Sequence, residues 1–211
     1  MTSTQAPRSR GRFIAFEGGD GSGKSTQAAR LAESFGAVLT REPGGTSVST
    51  KIRELVLDPA NPELTARTEA LLMAAARAQH VEELIVPTLE VGRDVVSDRY
   101  VASSLAYQGI GRGLGVDVIA ELNEFATAGL APDLTVLLDT DPEAARARLG
   151  DTLDRIEEAG ADLGLRVVEC YRSFAAKAPD KWLVIDANGS IDEVAERVHS
   201  EVAERLTGAT S

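Results

Sequence analysis

Five short runs of apolar and β-branched residues punctuate the chain, each bounded by glycine, proline or polar residues. Apolar runs of this length are typical of buried strands, because helices are usually longer. We predict strands at Phe13–Glu17, Ala37–Thr40, Asp94–Asp98, Leu134–Asp139 and Trp182–Asp186. Three of them end in an acidic residue and lead into a loop or helix signal: Glu17, Asp98 and Asp139.

The segments between these strands repeat apolar residues at three- and four-residue steps, as amphipathic helices do. We predict helices at Thr26–Phe35, Glu63–Leu84, Asp117–Leu130, Pro142–Leu149, Arg155–Lys177 and Ile191–Leu206. The alternation predicts an α/β fold, a five-stranded parallel sheet with helices on both faces. Such sheets bind ligands beyond the carboxyl ends of their strands, so the residues after each strand are candidates for chemistry.

The residues after the first strand form a phosphate-binding motif. Gly18-Gly19-Asp20-Gly21-Ser22-Gly23-Lys24-Ser25 matches G-x-x-x-x-G-K-[ST], with a predicted strand before it and a predicted helix after it. The glycines let successive N–H groups turn toward one anion, and the helix N-terminus adds positive partial charge. Lys24 can reach the β- and γ-phosphates, and the Ser25 hydroxyl can ligate Mg²⁺. We expect this loop, with Thr26 beside it, to bind ATP.

Two classes of protein share this loop: kinases that phosphorylate a small acceptor, and GTPase or ATPase switches that act through partners. A GTPase needs D-x-x-G after an early strand and a downstream N-K-x-D that recognises guanine. Residues 186–189 fit D-x-x-G, but they follow the last predicted strand and no N-K-x-D comes after them. The pattern favours a kinase and leaves the switch as the alternative.

Composition and charge narrow the choice of partners. The 211 residues, 43% of them apolar, suffice for a single domain, which we place at residues 13–211. A net charge of −11 repels nucleic-acid backbones, so no nucleic-acid partner is expected. A nucleotide substrate is still compatible with that charge, because local basic groups and helix N-termini can hold it.

Three further features bear on the compartment. Residues 1–12 are polar, carry three arginines and no acid, and lack a long hydrophobic stretch, so we expect a disordered tail and no signal peptide. No apolar run approaches the ~20 residues of a membrane span, so no membrane partner is expected. Cys170 is the only cysteine, which fits a structural thiol in a reducing cytoplasm.

Arginines gather at the predicted carboxyl edge of the sheet. Arg41 follows the second strand, Arg99 follows the third, and Arg77 lies on the helix between them. The planar guanidinium suits bidentate contacts to phosphate. A single arginine more often forms a surface salt bridge, but one that directly follows a strand end beside a phosphate-binding loop is a candidate for an acceptor phosphate.

These blocks together resemble the bacterial thymidylate kinase family. The resemblance rests on Phe13–Gly45, Arg77-Ala78-Gln79-His80, Asp98–Gly109, Pro132-Asp133-Leu134-Thr135 and Leu153-Asp154-Arg155-Ile156-Glu157, nearly the whole chain beyond the tail. It implies a P-loop NTPase fold with a short lid at about residues 146–157, and transfer of the ATP γ-phosphoryl group to dTMP. A kinase for another nucleoside monophosphate is a second alternative.

The resemblance also implies roles for residues around the acceptor. Asp20 would hold the 3′-hydroxyl of dTMP, Arg99 would grip its phosphate, and Arg77 would face the O4 edge of thymine. Tyr107 would close against the 2′ carbon of the sugar and exclude a ribose hydroxyl. The implied dTMP-binding set is Asp20, Arg41, Pro43, Met73, Arg77, Arg99, Ser104, Tyr107 and Gln108, and the implied metal residues are Ser25, Asp20 and Asp98.

The family divides by the position of its catalytic arginine. Some members carry a basic residue inside the phosphate-binding loop, and others supply arginines from a mobile lid. The loop position here is Gly21, so the resemblance directs the charge to the lid, where we favour Arg148 and Arg155 over Arg146. The predicted catalytic set is Lys24, Arg99, Arg148 and Arg155. Met73 stands where many relatives place a phenylalanine that stacks on thymine.

The expected reaction needs no general base, because the acceptor phosphate oxygen is already anionic. Catalysis then consists of positioning and charge stabilisation, with Mg²⁺ as the cofactor and ATP as the phosphoryl donor. The two histidines, His80 and His199, are expected to be structural. The resemblance further implies a homodimer.

Overall fold

The computed structural model describes residues 10–148, 155–156 and 161–208. Within these residues the strands form one five-stranded parallel sheet in the order β2-β3-β1-β4-β5. They are β1 (Phe13–Glu17), β2 (Val38–Arg41), β3 (Val95–Asp98), β4 (Leu134–Asp139) and β5 (Trp182–Asp186). Every predicted strand is confirmed, with shifts of one residue in β2 and β3. The central strand β1 therefore directs its carboxyl end into the middle of one sheet edge.

Helices connect the strands and cover the sheet, which confirms the predicted α/β fold. They are α1 (Lys24–Phe35), α2 (Ser47–Leu57), α3 (Ala66–His80), α4 (Val86–Glu90), α5 (Val101–Ser104), α6 (Val116–Thr127), α7 (Pro142–Ala147), α8 (Ala161–Lys177) and α9 (Ile191–Gly208). A π-helical segment at Val81–Ile85 continues α3 into α4, and another at Leu105–Gly111 extends α5.

The structure corrects the predicted helices in three places. The helix α2 lies outside the predicted set because it follows a glycine pair, although Thr46 caps it by accepting a hydrogen bond from the Ser49 N–H (3.3 Å). The α5 region was missed because π-helical geometry departs from the 3.6-residue step. The helix α8 begins at Ala161, and Arg155 lies in a turn before it.

Each face of β1 packs against its own helices, because successive strand residues point to opposite sides. On one face Ile14 and Phe16 pack with α1 and α9. On the other face Phe13 and Ala15 pack with the α3–α4 region. A third apolar cluster joins α2, α3 and α8 and contains Cys170, which is buried as expected of a structural thiol.

The predicted tail and the predicted lid both fall partly outside the described residues. Residues 10–12 belong to the folded domain: the Gly11 N–H donates to the Leu89 carbonyl (2.9 Å), and Arg12 donates three hydrogen bonds to Asp94 (2.7, 3.0 and 2.5 Å). The remainder of the tail, residues 1–9, and lid residues 149–154 and 157 lie outside the described residues. Among the helices that the structure describes, none has the length and apolar character needed to cross a membrane.

Candidate active site

A cleft of about 380 Å³ opens at the carboxyl edge of the sheet, beyond the ends of β1, β2 and β3. It brings together the predicted residues Asp20, Gly21, Gly23, Lys24, Ser25, Arg41, Pro43, Met73, Arg77, Asp98, Arg99, Ser104, Tyr107, Gln108 and Arg148. The predicted residues that do not line it are Gly18, Gly19, Ser22, Thr26 and Arg155. Residues that line it without having been predicted are Glu42, Arg53, Leu57, Ser103 and Ile156.

The phosphate-binding loop encloses its own lysine. Lys24 begins α1, and its Nζ donates to the Gly19 carbonyl oxygen (2.6 Å). Burial, together with the nearby charge of Arg99, lowers the pKa of Lys24 from 10.5 to about 8, although Asp20 works in the opposite direction. A phosphate entering the loop would favour the charged lysine again, because an opposite charge at close range raises the pKa of an ammonium group.

Gly21 lies directly against the carboxyl end of α7. Its φ is 77°, and a Cβ at this position would lie 2.1 Å from the carbonyl oxygen of Ala145 in α7. No side chain can occupy that space, so glycine is required both for the left-handed backbone and for the close approach of α7. Arg148 is the first residue after α7 and lines the cleft.

Ser25 and Asp98 form a pair that fits a magnesium ion. The Ser25 Oγ donates to Asp98 Oδ2 at 2.5 Å, while Asp98 Oδ1 is buried and has no hydrogen-bond partner among the described residues. Mg²⁺ is usually bound by one or two oxygen ligands from the protein, with phosphates and water completing its shell. The described residues contain no group of three or more His, Cys, Asp or Glu that could hold a metal. The pair therefore suits an ion that is shared with a bound nucleotide.

Asp20, the third predicted metal residue, is engaged by two partners from the β3–α5 region. Its Oδ1 accepts a hydrogen bond from Arg99, and its Oδ2 accepts one from the Tyr107 hydroxyl (2.8 Å). The Arg99 guanidinium also lies over the Tyr107 ring, 5.3 Å from its centroid. Burial would raise the pKa of Asp20, but Arg99, Lys24 and the Tyr107 bond outweigh burial and lower it. The ionised Asp20 thus fixes Arg99 and Tyr107 together.

The backbone at Arg99 adopts a left-handed conformation with φ of 71°, which is uncommon for a residue with a side chain. Beneath it, the buried Glu17 accepts hydrogen bonds from the Tyr100 N–H (3.0 Å), the Ser103 N–H (3.1 Å) and the Ser103 hydroxyl (2.7 Å). Burial raises the pKa of Glu17, although Arg99 and these bonds partly offset it. Glu17 thus fixes the first turn of α5 behind Arg99.

Arg77 occupies the opposite end of the cleft and is buried. Its Nε donates to Glu42 Oε2 (2.6 Å), and its two terminal nitrogens donate to the Ser104 hydroxyl (3.0 Å), to Asn123 Oδ1 and to the Tyr100 carbonyl (3.1 Å). These four partners come from three separate parts of the chain. They hold the guanidinium in a single orientation, which is the condition for directional recognition of a ligand.

His80 supports Arg77 through Glu42. The His80 Nδ1–H donates to Glu42 Oε1 (2.9 Å), and its Nε2 lies within hydrogen-bond distance of the Thr40 hydroxyl (2.6 Å). His80 is completely buried. The expected structural role of His80 therefore takes a specific form, since it fixes the carboxylate that orients Arg77.

The other predicted acceptor residues surround Arg77. Met73 lies one turn before it on α3, lines the cleft and also packs in the α2–α3–α8 cluster, so a base contact and a core position are compatible. The Gln108 Nε2 donates to Glu69 Oε1 (2.9 Å). The Pro43 carbonyl accepts from Arg53 (3.0 Å), while Arg41 is exposed at the rim of the cleft.

The two favoured lid arginines lie in different places. Arg148 lines the cleft. Arg155 does not line it: its Nε donates to the Val56 carbonyl (2.7 Å) and its NH2 group donates to Glu69 Oε2 (2.6 Å). Arg146, on α7, is exposed and is not among the lining residues. The geometry thus favours Arg148 for a contact with phosphate.

Three buried acids of the site escaped the sequence reasoning as functional residues: Glu17, Glu42 and Glu69. Each had a signal. Glu17 ends an apolar strand, Glu42 directly follows the first of the gathered arginines, and Glu69 precedes Met73 by one helical turn. Acids are rarely buried unless they are paired, so an acid on an apolar face indicates a hidden partner.

Comparisons of the whole chain with known proteins all lead to one family. A family model described as thymidylate kinase matches residues 16–198. The chain is 44% identical over 207 residues to a thymidylate kinase of Lactobacillus helveticus, covering 93% of this chain and 98% of that protein. It is 49% identical over 187 residues to a thymidylate kinase of Pelotomaculum thermopropionicum, covering 85% and 87%. The crystal structure of thymidylate kinase from Ehrlichia chaffeensis matches with a TM-score of 0.75 at 31% identity, covering 92% of this chain and 99% of that one.

Proposed function

The chain belongs to the thymidylate kinase family of nucleoside-monophosphate kinases, and we propose that it transfers the γ-phosphoryl group of ATP to the 5′-phosphate of dTMP, giving dTDP and ADP. One observation supports this most directly: Lys24 and Arg99 line the same cleft, so a donor and an acceptor phosphate would meet there. The comparisons do not favour the alternative of a GTPase or ATPase switch.

At the phosphate end of the cleft, defined as Gly18–Ser25 with Asp98 and Arg99, the chain would hold the transferring group. The loop amides would bind the ATP phosphates, and Lys24 would neutralise charge that develops on the γ-phosphoryl oxygens. Ser25 and Asp98 would hold Mg²⁺, which supplies further charge neutralisation when bound. Arg148 would approach the same oxygens from α7, and Arg99 would orient the acceptor phosphate.

At the base end of the cleft, defined as Glu42, Met73, Arg77 and Gln108, the chain would recognise thymine. Arg77 is a donor held in a fixed orientation and suits the O4 oxygen of the base. The apolar side chain of Met73 would cover the face of the ring. Between the two ends, Tyr107 would lie against the 2′ carbon of the sugar and leave no room for a ribose hydroxyl.

The reaction would proceed without a general base, because the attacking oxygen of dTMP is anionic at neutral pH. The chain would therefore act by positioning the two phosphates in line and stabilising the transferring charge. The partly buried ion pair of Asp20 and Arg99, joined by the Tyr107 hydroxyl, supports this assignment, because it holds the acceptor arginine in place before the substrate arrives. The single cysteine remains compatible with the expected cytoplasmic location.

We further propose that a second copy of this chain covers an exposed apolar surface on α3 and α6. Phe125 is 88% exposed, Val118 is 60% exposed and Leu71 is 53% exposed. Val118 and Phe125 are seven residues apart on α6 and so share a face, and α6 packs beside α3. Large exposed apolar patches of this kind mark interaction surfaces. Sedimentation analysis of Phe125→Asp tests the homodimer, since the variant should be monomeric where the parent chain is dimeric.

The activity itself is tested by ADP release from ATP and Mg²⁺ in the presence of individual nucleoside monophosphates. We expect slow release from ATP alone and a large increase with dTMP, with much smaller increases for ribothymidine 5′-phosphate, dCMP and GMP. Equal release with and without every monophosphate would instead favour the GTPase or ATPase switch that acts through partners. A larger response to another monophosphate would replace dTMP as the acceptor.

A further inference from the structure

Glu69 is a buried carboxylate for which the proposed reaction has no use. It lies on α3 and is completely buried. Its Oε1 accepts from Gln108 Nε2 (2.9 Å) and from Arg112 Nε (3.3 Å). Its Oε2 accepts from Arg112 NH2 (3.1 Å) and from Arg155 NH2 (2.6 Å). Burying a charge is costly, so an arrangement with this many directed donors needs a reason beyond filling the core.

The position of Glu69 connects it to the base end of the cleft. Glu69, Met73 and Arg77 follow one another at four-residue steps on α3 and so lie along one face of the helix. The last two of these residues line the cleft. Gln108, the direct partner of Glu69, lines the cleft as well. Glu69 therefore lies one residue behind the surface that a base would contact.

The ionised state of Glu69 dictates which way the Gln108 amide faces. Burial would raise the pKa of Glu69, but the hydrogen bonds from Gln108, Arg112 and Arg155 outweigh burial and lower it. An ionised carboxylate only accepts hydrogen bonds, whereas an amide has an NH₂ group that donates and an oxygen that accepts. Gln108 must therefore turn its NH₂ group toward Glu69, which leaves its carbonyl oxygen as the group it can offer to the cleft.

Arg155 belongs to the same cluster and not to the phosphate end. Its side chain is fixed by Glu69 and by the Val56 carbonyl, and its backbone N–H donates to the Leu57 carbonyl (3.2 Å). The side chain of Arg155 is 9% exposed, whereas that of Arg112 is 23% exposed. Arg155 is thus the more deeply buried of the two cations that keep Glu69 ionised.

We propose that Glu69 is a positioning residue for base recognition, which sets the Gln108 amide with its oxygen toward the cleft, and that Arg155 serves by keeping Glu69 in place. The proposal rests on the proposed function, since it names how the acceptor's base is chosen. Thymine presents an N3–H donor and an O4 acceptor on its Watson–Crick edge, and cytosine presents an N3 acceptor and an N4 donor. An oxygen from Gln108 beside a donor from Arg77 matches thymine and opposes cytosine at both positions.

Glu69→Gln is the sharpest test because it keeps the shape of the side chain and removes only the charge. A glutamine at this position can donate to the Gln108 oxygen, which frees the Gln108 NH₂ group to face the cleft. We expect the dTMP KM to rise and the ratio of kcat/KM for dTMP over dCMP to fall by about tenfold, equivalent to ~1.4 kcal/mol. A merely structural residue would lower the melting temperature and leave that ratio unchanged, which would overturn the proposal.

Two further variants test whether Glu69 acts through the Gln108 amide and whether Arg155 acts through Glu69. In a Gln108→Met background Glu69→Gln should no longer change the ratio, because the amide through which it acts is absent. An unchanged response in that background would contradict the proposed route. Arg155→Met should lower the ratio, since a less constrained Glu69 holds the amide less firmly. If Arg155 acts on the transferring phosphoryl group instead, Arg155→Met lowers kcat for both nucleotides alike and keeps the ratio, which would also contradict the proposal.

Asp94→Asn provides a matched control. Asp94 precedes β3 at the opposite edge of the sheet and accepts three hydrogen bonds from Arg12, so its loss also removes an arginine–carboxylate pair. We expect it to leave both KM and the ratio unchanged, and a fall in the ratio equal to that of Glu69→Gln would overturn the proposal. Failure of the proposed function would be seen separately, as the absence of dTMP-dependent ADP release from the parent chain.

Discussion

The two ends of the cleft are built by opposite means. The phosphate end comes mainly from one continuous stretch of backbone, and its key lysine donates to a carbonyl of its own loop. The base end comes from side chains far apart in the sequence, held by buried carboxylates such as Glu42 and Glu69. A backbone site suits phosphate, because the same charged group occurs in every nucleotide, whereas a network of paired side chains can distinguish one base from another.

This contrast predicts different kinetic consequences at the two ends. Interactions with the transferring phosphoryl group strengthen in the transition state, so their loss should lower kcat. Interactions with the base are the same before and during transfer, so their loss should raise the dTMP KM and leave kcat nearly constant. Variants at each end therefore test whether kcat falls at the phosphate end and the dTMP KM rises at the base end.

The largest effect is expected from Lys24→Met. The substitution keeps an unbranched side chain in the loop and removes the charge closest to the transferring group. We expect kcat to fall on the order of 10³-fold, comparable with the loss of a strong charge-stabilising contact in other active sites. Steady-state kinetics of dTMP phosphorylation provide the measurement. Near-parental turnover would show that the phosphate end has been assigned to the wrong residues.

Arg148→Ala should have the next largest effect. Arg148, the first residue after α7, lines the cleft, while Arg146 within α7 does not, and both side chains are exposed. We expect kcat to fall by about 10²-fold in Arg148→Ala with a small change in the dTMP KM. Arg146→Ala is the matched control and should remain close to the parent chain. Equal losses in both variants would mean that α7 as a whole matters, and not the guanidinium of Arg148.

At the base end, Glu42→Gln should raise the dTMP KM by about tenfold, equivalent to ~1.4 kcal/mol. The glutamine oxygen can still accept from Arg77, but its NH₂ group would face the His80 Nδ1 that donates to the carboxylate in the parent, so the contact is lost unless the imidazole proton moves to Nε2. The control is Asp192→Asn, which removes an exposed pair with Arg30. A fall in kcat without a rise in KM would place Glu42 with the phosphate end.

The stability of the ligand-free chain gives a further test of the phosphate end. The pKa of Lys24 is about 8 in the folded state and 10.5 in the absence of the fold, so between these values the unfolded chain binds more protons and stability rises with pH. Below pH 8 the whole cost of the buried charge is present. Lys24→Met should therefore be more stable than the parent at pH 7, by roughly 1–3 kcal/mol, and this advantage should disappear by about pH 10.5. Thermal unfolding at several pH values checks the sign, and an advantage that grows with pH would contradict it.

The smallest effect is expected from Met73→Phe. Met73 lies one turn before Arg77 and lines the cleft, so a ring there should stack on the base. We expect the dTMP KM to fall by a factor of about 2–5, consistent with ~1 kcal/mol or less of added stacking. Because Met73 also packs in the α2–α3–α8 cluster, the competing result is a lower melting temperature with an unchanged KM, as overpacking would produce.

The same contrast explains how far the sequence alone could lead. The five strands and the phosphate-binding loop follow from local patterns: buried strands are continuous apolar runs, and the loop is eight consecutive residues with a recognisable spacing. The partners of Arg77 and Glu69 could not be read in this way, because each hydrogen bond joins residues that only the fold brings together. Arg155 is an example: its sequence context favoured a catalytic role, whereas in the structure its NH2 group binds Glu69.

The left-handed backbone at Arg99 has a consequence for the distance between the two substrates. Strand side chains normally alternate, yet Asp98 and Arg99 both line the cleft because the chain turns between them. The group proposed to hold the metal and the group proposed to hold the acceptor are thus adjacent residues, whose Cα atoms are about 3.8 Å apart in any protein. A single peptide unit then fixes the distance between the metal-binding group and the acceptor-binding group, and with it the distance over which the phosphoryl group is transferred. Inserting one residue at this point would lengthen the gap by up to ~3.3–3.6 Å, which is comparable with the ~3–3.5 Å at which the reacting atoms must meet.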